Sequence, residues 1–250
     1  MKHSIIIILL SLISAGLWAQ IDLRVETELG LAFPGYNDVR SPNEGNSSPL
    51  LSLSDDLSAD PVFSSRLQAH YRIHPRHQIS LMAAPLTFKP TGILPAAIDF
   101  EGENFFDGEK IKAIYRFDSY RLQYRYFFPE PIYGLKAVGV SGKIRDAEIT
   151  LESEDTPGKK SSKTNTGFVP LLSLNVGYKL MEELEVVLEA EGLASSYGRA
   201  EDVFIGLDMD VSSRSKVRAG YRFLEGGSDI DEVYTFAAVH YAILGFSLRL

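Results

Sequence analysis

Apolar side chains at every second position, in segment after segment, limit this chain more than any other feature. Successive residues of a strand point to opposite faces, so such alternation describes strands with one apolar and one polar face. Segment 21–33 puts Ile21, Leu23, Val25, Thr27, Leu29, Leu31 and Phe33 on one side, with Asp22, Arg24, Glu26, Glu28, Gly30 and Ala32 on the other. Segment 62–73 sets Phe63, Leu67, Ala69, Tyr71 and Ile73 against Ser64, Arg66, Gln68, His70 and Arg72. A third segment, 78–88, has no clear faces. The fourth, 110–128, ends with Tyr120, Leu122, Tyr124, Tyr126 and Phe128 opposite Ser119, Arg121, Gln123 and Arg125. Further segments follow at about 135–151 and 168–180, from Leu184 onward, at 203–211 and 217–223, and at 233–250.

The connections alternate in length. Long ones cover 34–61, 90–109 and 152–167, with shorter ones on the same side at 197–201 and 226–231. Tight ones fall at 74–77, 129–133, 181–183 and 213–215. Alternating tight turns and longer loops mark outer-membrane barrels, with the turns in the periplasm and the loops outside. A tilted membrane strand needs about 9–11 residues, and most segments supply them. The chain is therefore expected to be all-β, a single antiparallel up-and-down transmembrane β-barrel of ten strands with both termini in the periplasm. Splitting 110–128 would give an odd number and move 152–167 to the turn side. The competing architecture is a soluble secreted sandwich or lipocalin-like barrel, which would bury the apolar face.

The N-terminus fits export. Met1, Lys2 and His3 precede an apolar stretch that runs to Trp18, interrupted by Ser11 and Ser14. A basic start, a short apolar run and a small residue make a cleaved signal peptide, here 1–19 with cleavage after Ala19, leaving 20–250 as the barrel. No later segment is apolar for the 18 or more residues of a spanning helix. The chain has no cysteine, which excludes a lipidated cysteine and disulfides. A net charge of −8 argues against a nucleic-acid partner. The expected location is the outer membrane of a Gram-negative cell.

In a membrane barrel the polar faces line the lumen. They carry Arg24, Glu26, Glu28, Arg66, His70, Arg72, Arg121, Arg125, Lys143, Arg145, Glu185, Glu189, Glu191, Asp208, Asp210, Arg218 and Arg222. Opposite charges in a narrow lumen should pair, because an unpaired buried charge is costly. Small barrels are filled by side chains, whereas open aqueous channels are expected at about 16 strands. These charges are expected to form a structural plug rather than a conduction path.

Chemical motifs are sparse. His74 and His77 have H-x-x-H spacing in a short turn, a weak metal signal. His240 falls on the outward face, which calls for a bulge or a place near an interface. Barrel enzymes such as lipid A acyltransferases, phospholipases and omptin-type proteases need a Ser–His pair or an Asp/His constellation near the outer rim. Ser195, Ser196 and Tyr197 reach that rim without a histidine placed to activate them. Glu189, Glu191, Asp208 and Asp210 could serve as general acid and base, with lumen structure the plainer role. No catalytic residue, metal ligand or cofactor is assigned. The loops are acidic, with Asp38, Glu44, Asp55, Asp56 and Asp60 in the first and Glu101, Glu103, Asp107 and Glu109 in the second. Divalent cations could bridge such loops to lipopolysaccharide phosphates.

Four stretches add a resemblance: YRFDSYRLQYRYFF at 115–128, GFVPLLSLNVGYKL at 167–180, EGLASSYGRAEDV at 191–203 and GYRFLEGGSDIDEVYTFA at 220–237. They resemble a group of uncharacterised bacterial outer-membrane β-barrel proteins over about the last half of the chain. The resemblance implies compartment and fold, and carries no functional residue. The expected role is a small structural or interaction barrel with a charge-plugged lumen and extracellular loops. It would contact outer-membrane lipid and lipopolysaccharide, and an unidentified extracellular or periplasmic protein. The alternatives are a narrow pore or transporter for small solutes, and a lipid-modifying enzyme.

Overall fold

The computed structural model describes residues 22–43 and 49–250. The expected signal peptide and the acidic loop residue Glu44 lie outside the described residues. The wall is built from β1 (Asp22–Arg40), β2 (Val62–His74), β3 (His77–Ala84), β4 (Lys110–Ile132), β5 (Leu135–Ser153), β6 (Lys160–Lys179), β7 (Leu184–Ser195), β8 (Gly198–Asp210), β9 (Ser215–Ile230) and β10 (Val233–Arg249). Each pairs antiparallel with its sequence neighbours. The sheet closes where β1 meets β10, from Arg24 opposite Arg249 to Arg40 opposite Tyr234. It is a ten-strand, antiparallel, up-and-down barrel.

Alternation decides which face points where. Leu174 is 39% exposed, Ile205 50% and Tyr221 44%, all on the outside. Their polar neighbours on the same strands, Ser173 and Arg222 among them, are buried inside. A soluble barrel would show the reverse, so the soluble alternative fails on burial. The outer belt of Leu, Ile, Val, Phe and Tyr is the surface that hydrocarbon accepts and water does not.

The strands are longer than a membrane requires. β4 has 23 residues, β6 has 20, and β1 and β5 have 19 each, against the 9–11 of a membrane strand. Most of the excess lies at the loop end and corrects several loops; at the turn end β4 runs on to Ile132, so the connection expected at 129–133 shrinks to 133–134. The connection expected at 152–167 shrinks to 154–159, because 160–167 pairs with β5 from Glu152 opposite Lys160 to Arg145 opposite Gly167. The connection at 197–201 becomes residues 196–197, and that at 226–231 becomes 231–232. The first loop starts at Ser41, since β1 runs on through a bulge between Pro34 and Asn37. Proline has no N–H for the ladder, and a bulge accommodates the missing donor. Segment 78–88 is also interrupted. β3 stops before Pro85, and the chain then resumes pairing with β4 at Thr87–Phe88 and Thr91–Ile93.

The loop-end half of the lumen departs most from expectation. It is apolar. Val39 of β1, Ile111, Ala113 and Tyr115 of β4, Ile149 and Leu151 of β5, and Ala237 and Val239 of β10 join one buried cluster. Leu51, Leu53 and Leu57 of the first loop belong to the same cluster. So do Leu86, Phe88, Leu94, Ile98, Phe100 and Phe105 of the second. Both loops are packed against the barrel rather than freely displayed. Burying each such side chain contributes about 1.5–3 kcal/mol, enough to hold the loops down.

Candidate functional site

Below the apolar tier, side chains from opposite walls meet. Asp202 on β8 is the hub. Its Oδ2 accepts from Arg66 Nη2 at 2.9 Å and Arg121 Nη2 at 2.6 Å, and its Oδ1 accepts from Arg222 Nη1 at 2.7 Å. Arg66 stands on β2 and Arg121 on β4, each four strands from β8 around the ring. These pairs therefore cross the bore instead of following the wall. Glu28 on β1 accepts from Arg222 Nη2 at 2.8 and 2.9 Å and from Arg218 Nη1 at 3.0 Å. Arg218 also donates to Glu26 at 2.7 Å and to both oxygens of Asp208 at 3.0 and 3.1 Å. Glu191 accepts from Arg121 and from Gln123. Glu189 lies 3.7 Å from Arg125 and 3.6 Å from Arg218.

Charge is balanced in this layer. Arg66, Arg121, Arg125, Lys143, Arg218 and Arg222 face Glu26, Glu28, Glu189, Glu191, Asp202 and Asp208, six of each sign. Phe204 sits among them, with the Arg218 and Arg222 guanidinium carbons 4.8 and 5.2 Å from its ring centre. Glycines make room for that ring: a Cβ on Gly206 or Gly220 would lie 2.5 or 2.6 Å from it. Two cavities of about 30 and 20 Å³ flank the network, each large enough for one water-sized occupant.

Other expected luminal residues lie beside the network. Lys143 is buried opposite Arg121 in the β4–β5 register, with Nζ 4.7 Å from the Phe117 ring centre. Arg145 donates to Asn165 at 2.9 Å, nearer the loop end. Arg24 stands opposite His70 and Arg249 at the turn end. The His70 Nδ1 is 2.8 Å from Ser80 Oγ. Asp210 is not part of the crossing network: it sits at the turn-end rim, paired with Lys216 at 3.1 Å, its side chain 43% exposed.

Asp202 escaped the sequence reading although a signal was present. It shares the inward parity of Asp208, but it adjoins a stretch read as loop. Also missed was an outward cluster at the loop end, where Arg199 donates to both oxygens of Glu225 and Tyr36 donates to Glu225.

The remaining candidates resolve into local structure. Ser195 Oγ donates to Gly198 O at 3.2 Å and accepts the Tyr197 N–H, closing a turn. The His74 and His77 rings lie 5.5 Å apart, tilted by 59°, and His77 Nδ1 is 2.7 Å from Tyr124 Oη. Among the described residues, no three His, Cys, Asp or Glu side chains are grouped to hold a metal. His240 faces outward, 2.6 Å from Tyr221 Oη and beside the Phe223 ring, in unbroken register with Phe223. In the loops, Glu101 accepts from Ser41 at 2.6 Å and Lys163 at 3.0 Å. Glu109 accepts from Lys159 at 2.9 Å and from the Phe106 N–H at 2.7 Å. Burial works to raise the Glu109 pKa, but hydrogen bonds from Ser153, Lys159 and Phe106 outweigh it and hold the carboxyl below its usual 4.5.

The sequence matches no family model and no curated protein. Among solved structures, the outer membrane protease OmpT from Escherichia coli superposes with a TM-score of 0.62 at 8% identity, over 95% of this chain and 99% of that one. The two share a fold. Ail, the attachment invasion locus protein of Yersinia pestis, matches with a TM-score of 0.38 at 10% identity, over 92% and 99% of the two chains. The Pseudomonas putida toluene transporter TodX matches at 0.34 and 8%, over 91% and 89%. Neither of these two matches is close enough to argue from.

Proposed function

We propose that this chain is a closed structural or interaction barrel of the Gram-negative outer membrane, bearing packed, acidic loops on its outer end. The observation that carries this reading is the set of ion pairs crossing the bore between strands four apart, beneath an apolar tier. A conduit needs a continuous polar path, and the two cavities that flank the network are only about 30 and 20 Å³. The apolar belt is matched to outer-membrane lipid. Lipopolysaccharide is the proposed neighbour of the outer wall and loops, and Glu101 and Glu109 already have lysine partners there. A protease-like role would draw on the OmpT fold alone. Ser195 is engaged in a turn, and the described histidines lie at the turn end or on the outer face.

Reconstitution into planar bilayers tests the proposal. The purified protein is expected to show no sustained single-channel openings. Stable, voltage-independent conductance would favour the pore, and a lipid A mass shift on overexpression would favour a lipid-modifying enzyme.

A further inference from the structure

The wider luminal cavity lies between the ion network and the apolar tier, with Ser119, Arg121, Arg222, Tyr241 and Phe117 in its wall. Three donors on that wall have no hydrogen-bond partner: Ser119 Oγ, Arg121 Nε and Arg222 Nε. Their residues are only 4%, 6% and 5% exposed. Buried donors are rarely left unpaired, because desolvation without a partner is costly. The terminal nitrogens of both arginines are already committed to Glu191, Asp202 and Glu28. What is left over on this wall is mainly donor capacity: the two Nε–H groups can only donate, and the Ser119 hydroxyl can do either.

Charge points the same way. The wall itself carries three guanidinium groups, those of Arg66, Arg121 and Arg222, and one carboxylate, that of Glu28. Lys143 stands behind it, with Nζ 4.7 Å from the ring centre of Phe117, itself part of the cavity wall. The volume suits one occupant of about the size of a water molecule and excludes polyatomic anions such as sulfate. A water would bring two hydrogens to a wall rich in donors, whose one carboxylate, Glu28, already accepts three hydrogen bonds from arginines. A monatomic anion brings none and accepts from every donor.

We infer that the cavity is a buried chloride site, in which one halide ion completes the ion network. It joins Ser119 and the two arginine Nε groups.

The test is urea-induced unfolding and refolding of the full barrel in detergent micelles, in sodium chloride and in sodium gluconate at equal ionic strength. The midpoint is expected to move to higher urea as chloride replaces gluconate, and to level off at high chloride. Ser119→Ala removes one donor and little volume, and should at least halve that shift. Crystals grown in bromide should show an anomalous peak between Ser119 and Arg121. The inference is overturned if the native midpoint is the same in both salts. It is equally overturned if Ser119→Ala keeps the full shift, or if the bromide peak is absent from the cavity.

Discussion

Asp202 and Glu28 are the two carboxylates that three guanidinium groups share, and Asp202 is the one reached from across the bore. Three guanidinium groups from β2, β4 and β9 converge on one carboxylate that is 2% exposed. Removing one member of a buried pair leaves the others charged and uncompensated, at a cost of about 3–5 kcal/mol. Asp202→Asn should lower the urea midpoint in micelles by a corresponding amount. Asp210→Asn, whose carboxylate is 43% exposed at the turn-end rim, should change stability by less than about 1 kcal/mol. Equal losses would show that the crossing network is not the source of rigidity. Gly220→Val tests the same layer sterically, since its first added carbon would fall 2.6 Å from the Phe204 ring. That variant should refold poorly beside a wild-type control, as judged by heat-modified migration on a gel. At this scale the sequence was legible where parity held. Arg66, Arg121, Arg218 and Arg222 were read as luminal from alternation alone. Which carboxylate would be shared was not legible, because contacts between strands four apart depend on curvature that a linear pattern does not record. Asp202 shows the point: its parity was plain, but its position beside a presumed loop hid it.

The elements divide by environment. Where one face meets hydrocarbon and the other meets charge, alternation is sharp and the ten strands could be counted from the sequence. Above the membrane both faces of β6 are polar, as in KSSKTNTG at 160–167, and the signal vanishes although the ladder continues. Loops were harder still. The leucines and phenylalanines of 41–61 and 85–109 have no period, so nothing local shows that they pack together. Their contribution is measurable. Phe88 is 1% exposed in that cluster, and Phe88→Ala should cost about 3–5 kcal/mol and expose both loops to protease. The tie at Glu109 has a pH signature. Its folded pKa is below the usual 4.5, so the stability it contributes is complete above the unfolded value. That stability is lost as pH falls through the folded value. Protease nicking near Phe106 should stay slow from neutral pH down to about the usual carboxylate range and rise only below it. Glu109→Gln should nick at the fast rate at every pH. A wild-type profile that breaks near neutrality would assign the tie to another group.

At the scale of the whole molecule, two layers lie in series across the bore. An ion-paired layer of six charges of each sign fills the middle, and an apolar tier built partly from the two large loops fills the outer end. On the proposed reading, either layer alone blocks a polar solute, the first by occupying the bore and the second by excluding water. The resistances of two barriers in series add, so relieving one leaves the other in control. Shortening the second loop between Leu94 and Glu109 should therefore leave the reconstituted barrel silent. Replacing Arg121 and Asp202 together by alanine should do the same, since it removes one charge of each sign and leaves the layer neutral, with Arg66 and Arg222 still held by Glu28. The two changes combined should give sustained openings. Circular dichroism and gel mobility must show that each variant still forms the barrel for its conductance to count. If the loop deletion alone conducts, the ion-paired layer is no seal. The charges would then line a path, and the structural reading of the lumen would give way to the pore.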